Sequence, residues 1–171
     1  AARGKRFLFR SAASLLTALA KLPPQPAAAE SMRAYVRDQQ PGAVIVGSHV
    51  KKTTSQLEQL LTEPGVQGIE VDVARIVEER ENLLRSVLAR AADAHAAGMT
   101  GVVYTSRVEL QFPDQASRLA FGEAVSAFLM DVVRGLPPTL GFLISKGGIT
   151  SNDVLSDGLA LKTSTVLGQI L

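Results

Sequence analysis

The feature that most constrains the fold is an alternation of short apolar, β-branched runs with longer helical patterns. Between the runs, apolar residues recur at helical spacing, and the two longest helices are predicted over residues 75–97 and 114–134. Such an alternation favours a parallel sheet, because each helix returns the chain to the same edge of the sheet. We therefore predict an α/β fold, a three-layer domain with a mainly parallel sheet flanked by helices. The five predicted strands lie near Val44, Val71, Val103, Leu143 and Val166.

The composition excludes several classes of protein. A chain of 171 residues fits one domain, or a core with a small appendage. Its 18 Lys and Arg against 16 Asp and Glu leave too small an excess to predict a nucleic-acid partner. With no cysteine and two histidines, we predict no disulfide, no thiolate nucleophile and no metal site. No apolar run reaches 18 residues, so we predict no membrane partner and expect a cytoplasmic protein.

The N-terminal part reads as a segment outside the main domain. Residues 6–10 alternate charge and bulk like an edge strand, and a short Ala/Leu helix is predicted over residues 11–21. Pro23, Pro24 and Pro26 then break the helical pattern and indicate a linker. We therefore divide the chain into a joining segment, residues 1–26, and a domain, residues 27–171. The chain ends in an apolar run, residues 165–171, which reads as a strand. We expect the polypeptide to continue beyond it.

Two helices have marked starts. Thr53 with Gln56 three residues later forms a capping-box pattern and predicts a helix over residues 54–62. Thr150 or Ser151 is expected to cap a later helix that follows Gly147 and Gly148 and ends near residue 158.

The chemistry is expected at the carboxyl ends of the strands, where ligands bind in open α/β sheets. Three polar or glycine-rich turns lie there: residues 47–49, which we name the serine turn, residues 105–107, and the glycine turn, residues 147–150. Two adjacent glycines let the backbone approach a ligand closely, and the start of the following helix favours an anion. Parallel strands would bring Ser48 and the glycine turn to one edge of the sheet.

Each of these residues also has a structural interpretation. Gly147 and Gly148 match neither a Walker A loop nor a G-x-G-x-x-G fingerprint, and can form only a tight turn. Ser48 lacks the G-x-S-x-G context of a nucleophile and can be a turn residue. His49 can contact a phosphate or act in catalysis, or it can simply cap or line the same turn. Arg107 can bind an anion or form a structural ion pair, and Lys146 can add a cation beside the glycine turn.

Five distinctive segments follow one another along the chain. They are G-K-R-F-L-F-R-S-A-A-S at residues 4–14, V-G-S-H-V-K-K-T-T-S-Q-L at 46–57, V-V-Y-T-S-R at 102–107, I-S-K-G-G-I-T-S-N-D-V at 144–154 and V-L-G-Q-I-L at 166–171. Taken in this order, they resemble the four-carbon acid sugar kinase family.

The resemblance implies the family's nucleotide-binding domain, preceded by a short joining segment. It further implies an ATP-dependent kinase, working with Mg²⁺, whose partners are ATP and a small sugar acid such as threonate, erythronate or oxo-tetronate. The nucleotide contacts would fall on Ser48, Gly147, Gly148, Ile149 and Thr150.

The chain also departs from that family. It lacks the D-D-x-T-G-A motif of the substrate domain and the P-G-V-P-like continuation that helps complete the nucleotide site. We therefore expect this segment to bind nucleotide weakly and to transfer no phosphate by itself. The alternatives are a non-catalytic nucleotide- or anion-binding regulatory module and a scaffold without a ligand; nothing in these residues supports the older label of type III effector that some relatives carry. The catalytic base, the sugar acid and a possible homo-oligomer stay open.

Overall fold

The computed structural model describes residues 8–9, 13–21, 23, 26–107, 110–167 and 169–170. The chain forms two units, residues 1–32 with 165–171, and residues 33–164. The helices in chain order are α1 (Ala13–Leu19), α2 (Lys51–Leu60), α3 (Arg80–Ala96), α4 (Gln115–Gly135) and α5 (Gly148–Asp153). The strands are β1 (Pro26–Ala27), β2 (Ala43–Val46), β3 (Val66–Val71), β4 (Thr100–Thr105), β5 (Leu143–Lys146) and β6 (Gln169–Ile170).

A four-stranded parallel sheet forms the centre of the larger unit. The strand order is β3-β4-β2-β5, and every neighbouring pair is parallel. The register sets Val44 of β2 opposite Val102 of β4 and Ile144 of β5. This sheet, with helices on both faces, confirms the predicted three-layer α/β class.

Two apolar clusters cover the two faces of the sheet. On one face, Val44, Val46 and Val102 pack with Leu57 of α2. The opposite face carries Ile45, Ile69 and Val103, which pack with α3 and α4. Because the central strands are buried on both faces, they read in the sequence as continuous apolar runs rather than alternating ones. The buried side chains that α3 and α4 contribute include Leu83, Val87, Phe128 and Leu129.

The crossovers create a crevice at the carboxyl edge of the sheet. The connection from β2 to β3 runs in one direction along the sheet through α2, whereas those from β3 to β4 and from β4 to β5 run in the other through α3 and α4. Right-handed crossovers in opposite directions place their helices on opposite faces. The chain therefore leaves the adjacent strands β2 and β4 toward opposite faces, which is where open α/β sheets bind ligands.

The fifth predicted strand does not join this sheet. Residues 163–167 have no regular structure, and the last described strand, β6, pairs in parallel with β1 in the smaller unit. An apolar run indicates that a segment is extended but does not select its partner, and two-residue strands pair wherever tertiary contacts bring them. The expected linker thus contributes a strand, Pro26–Ala27. The helix predicted over residues 11–21 is present as α1, whereas the edge strand predicted over residues 6–10 lies largely outside the described residues.

Two of the predicted helix starts are wrong. Thr53 is not the N-cap of α2, which begins at Lys51 after the extended residue Val50. The reason is that the side chain of Ser48 stabilises an earlier turn, because its Oγ accepts the Val50 N–H at 3.4 Å. The helix therefore begins before Thr53. Neither Thr150 nor Ser151 caps α5, which starts at Gly148 after the N-cap residue Gly147 and continues as a π-helical turn to residue 158.

Both predicted long helices are present, but only the second begins close to its predicted residue. The N-cap of α4 is Asp114, one residue before the helix, and its Oδ1 accepts the Ser117 N–H at 2.7 Å. This hydrogen bond lowers the pKa of the Asp114 carboxyl group. By contrast, α3 begins at Arg80 rather than residue 75, because Asp72 caps a separate 3₁₀ turn, Val73–Arg75. Among the described helices, none is long and apolar enough to cross a membrane.

Candidate functional site

The serine turn and the glycine turn pack against each other. They follow β2 and β5, which are neighbours in the sheet. A methyl group added to Gly47 would overlap the hydroxyl oxygen of Thr150, and one added to Gly147 would lie 3.0 Å from Cβ of Ser48. The structure thus brings together two turns that are about a hundred residues apart in the sequence, as the parallel arrangement predicted.

The two adjacent glycines have different reasons to be glycine. Gly147 has a φ of +115°, in the region that side chains rarely adopt, and it lies against Ser48. Gly148 has neither constraint, since a Cβ atom at this position would meet nothing within 4 Å. The fold therefore requires glycine at position 147 only, and it leaves the space above Gly148 open.

A cavity of about 590 Å³ opens beside the two turns. Gly47, Ile149 and Thr150 line part of it, so both turns border the cavity, although Ser48, Gly147 and Gly148 do not themselves line it. Its volume lies within the range that small-molecule sites occupy. The remaining wall is mainly apolar and comes from the loop after β4 and from α4, with Leu110, Phe112, Phe121, Val125 and Leu129 as its main members.

His49 lies at the cavity and connects the loops beside it. Its Nε2 is 3.0 Å from the carbonyl oxygen of Ser106, and because a carbonyl only accepts, Nε2 carries the hydrogen. The hydroxyl group of Ser106 in turn accepts the Val73 N–H at 3.2 Å. The loops after β2, β3 and β4 are thereby joined. His49 holds this edge of the sheet together with one ring nitrogen while its side chain lines the cavity.

Arg107 is the cationic residue that the structure places between the serine turn and the cavity. Its Nη1 donates to the carbonyl oxygen of Ser48 at 2.5 Å, and its Cζ lies 5.9 Å from the centroid of the Tyr104 ring. Its Nε and Nη2 are buried, and no group among the described residues accepts a hydrogen bond from them. Burial lowers the pKa of Arg107, because the charged form loses hydration. Two buried donors without an acceptor suit an anionic or polar ligand.

Lys146 lies apart from this arrangement. It is the last residue of β5 and is exposed. Side chains alternate along a strand, so Lys146 shares a face with Ile144, whereas Leu143 packs into the cluster that includes α4. The cavity, which α4 also lines, does not include Lys146.

Sequence reasoning missed the apolar wall of the cavity. Phe112 and Phe121 contact each other with their ring centroids 5.1 Å apart. Phe121 and Val125 of α4 have the same spacing as residues that pack into the core, so their periodicity does not distinguish a cavity wall from a core. The signal that could have revealed it is Gly122, a glycine inside a helical pattern.

Replacing Gly47 by alanine is expected to destabilise the domain by about 1–3 kcal/mol, because the new methyl group would overlap the Thr150 side chain. Replacing Thr150 by alanine in the same protein removes the overlapping hydroxyl and is expected to recover part of the loss. Urea denaturation of the two single variants and the double variant measures this coupling. Simple additivity of the two losses would contradict the packing of one turn against the other.

One family model, described as the nucleotide-binding C-terminal domain, matches residues 43–171. The match includes β2–β5, both turns and every residue that lines the cavity. None of the curated proteins and none of the solved structures matches the chain. Since the family model covers well over half of the 171 residues, the chain belongs to the family of nucleotide-binding C-terminal domains.

Proposed function

We propose that this chain is the ATP-binding portion of a kinase that phosphorylates a four-carbon sugar acid of the threonate, erythronate or oxo-tetronate type. The family is described by nucleotide binding alone, and the resemblance of the sequence motifs adds ATP and the acceptor. The observation that carries the proposal is the glycine turn, which packs against Ser48 and borders an apolar cavity through Ile149 and Thr150. A nucleotide has a part that suits each of them: charged phosphates for the glycine turn, and a flat, largely apolar base for the cavity.

The phosphates are proposed to lie at the glycine turn. Gly148 presents open space instead of a side chain, so phosphate oxygens can approach the backbone N–H groups there. The first N–H groups of a helix have no acceptor within the helix and remain available to a ligand. Arg107 lies beside the serine turn with two donors that lack an acceptor among the described residues.

Mg²⁺ is proposed to arrive with the nucleotide. Among the described residues, no group of three or more His, Asp or Glu side chains gathers as a metal site. Mg²⁺ in kinases is commonly bound by phosphate oxygens, water and one or two carboxylates, so it does not require such a group. When bound, it would neutralise charge on the phosphates during transfer.

The test is ADP release from Mg·ATP with threonate, erythronate or an oxo-tetronate as acceptor. The 171-residue chain is assayed by itself and joined to the substrate-binding domain of a four-carbon acid sugar kinase. We expect no release from the chain by itself and turnover from the joined protein, because a kinase must hold donor and acceptor in line.

Two other results would contradict the proposal. ATP binding without turnover in the joined protein would instead support the non-catalytic regulatory module. No ATP binding by the chain in calorimetric titration would remove the basis for both functions.

A further inference from the structure

A glycine in the middle of α4 has no explanation in the fold. Gly122 is the eighth residue of a 21-residue helix, where glycine is disfavoured relative to alanine. A Cβ atom at this position would meet nothing within 4 Å, so no neighbouring group of the protein excludes a side chain. Gly135 of the same helix is different, because there a Cβ would overlap Leu88. The open space at Gly122 is therefore available to a ligand.

Gly122 lies in the centre of the face that α4 turns to the cavity. The residues of this face recur at intervals of three and four, as one side of a helix does. They become more buried along the helix, from the exposed Arg118 through half-buried Phe121 to Leu129, which is 2% exposed. The face consists of Arg118, Phe121, Gly122, Val125, Ser126 and Leu129. Gly122 is thus a gap between larger side chains in the cavity wall.

We propose that the adenine ring of the nucleotide lies in this gap, over Gly122 and against Phe112 and Phe121. This inference rests on the proposed function, because it takes the bound molecule to be ATP. The cavity reaches from Gly122 to Ile149 of the glycine turn, so one nucleotide can extend from the base site to the phosphate site. Aromatic rings bind a flat base through offset or tilted contacts of their faces and edges.

The chemistry of the wall favours the base over the sugar acid. A sugar acid carries a carboxylate and hydroxyl groups, which lose free energy in an apolar site unless each finds a polar partner. Next to Gly122 the wall offers mostly carbon, from Phe112, Phe121 and Val125, whereas the donors of Arg107 lie beside the serine turn. The hydroxyl of Ser126 is already engaged, since it donates to the carboxylate of Asp153. A base loses little by entering such a site, because its faces are apolar.

The test replaces Gly122 by leucine, with Gly122→Ala as a smaller step and Ala127→Leu as the control. Ala127 is exposed on the same helix and does not line the cavity, so its leucine adds the same side chain elsewhere. Calorimetry of the 171-residue chain uses three probes: ATP, adenosine without phosphates, and inorganic tripolyphosphate without a base.

In Gly122→Leu we expect ATP and adenosine to bind at least tenfold more weakly, and tripolyphosphate to bind unchanged. The melting temperature should stay equal or rise, because leucine is the better helix former. Unchanged ATP affinity would overturn the placement of the base and leave the proposed function standing. An equal loss of tripolyphosphate binding would also overturn it. If the unsubstituted chain bound no ATP, the proposed function itself would fail.

Discussion

Replacing Gly148 by valine is expected to abolish measurable ATP binding without unfolding the protein. The side chain would enter the open space above the glycine turn, where the proposed phosphates lie. Apart from the adjoining residues and the backbone of α5 itself, nothing lies within 4 Å of that Cβ position, so the fold accommodates the new side chain. A branched side chain would hold phosphate oxygens away from the backbone N–H groups, and hydrogen bonds weaken steeply beyond their normal length.

Calorimetric titration of Mg·ATP into the two proteins measures the effect, and thermal melting checks the fold. Ala92→Val is the matched control, because Ala92 is exposed on α3 and the change places the same side chain on a helix that does not line the cavity. Equal heats from the Gly148 variant and the unsubstituted chain would show that the glycine turn is only a turn. Gly147→Val would give no such information, because position 147 requires a φ that valine rarely adopts.

The sequence predicted the main sheet because its strands lie between two layers of helices. A strand buried on both faces, such as Ala43–Val46, shows as an unbroken apolar run that few other structures produce. The partner of the last strand was not predictable in this way. Its pairing with Pro26–Ala27 depends on contacts between opposite ends of the chain, and no local pattern records them.

Helix starts were predictable where a side chain performs the capping. The helix predicted over residues 114–134 is present as α4, and its N-cap Asp114 accepts a backbone hydrogen bond, as this residue type commonly does at helix starts. Thr53 matches the same kind of pattern, yet its hydroxyl donates to Ser48 Oγ at 3.4 Å and lies inside the first turn. The pattern alone could not show that an earlier serine would turn the chain first.

The position of the site followed from topology, but its apolar wall did not. Ser48 and the glycine turn could be placed together because neighbouring parallel strands end at one edge. The residues of α4 that line the cavity are apolar at helical spacing, as core residues are, so the sequence could not separate the two. Arg107 was predicted as an anion ligand or an ion-pair partner. The sequence could not decide between these roles, because the group that Arg107 contacts, the Ser48 carbonyl, is distant in the chain.

Replacing Arg107 by methionine is expected to weaken ATP binding by at least about a hundredfold. Hydrogen bonds from a charged donor contribute about 1.5–3 kcal/mol each, and Nε and Nη2 offer two such donors without an acceptor among the described residues. Arg107→Lys should lose most of the same affinity, because an ammonium group keeps the charge but not the planar set of donors. Titration of Mg·ATP into each variant measures the loss.

The same substitution is expected not to lower the melting temperature, and this separates a ligand-binding role from a structural one. The pKa of Arg107 is lowered by burial, so folding disfavours its charged form. Arginine stays protonated at ordinary pH, so a neutral side chain of similar length removes this cost of burying charge at any pH from 5 to 9, which offsets the lost hydrogen bond to the Ser48 carbonyl. Arg90→Met is the control, because Arg90 also donates to a backbone carbonyl, that of Gly68, outside the cavity. A marked fall in melting temperature with unchanged ATP affinity would show that Arg107 serves only to hold the serine turn.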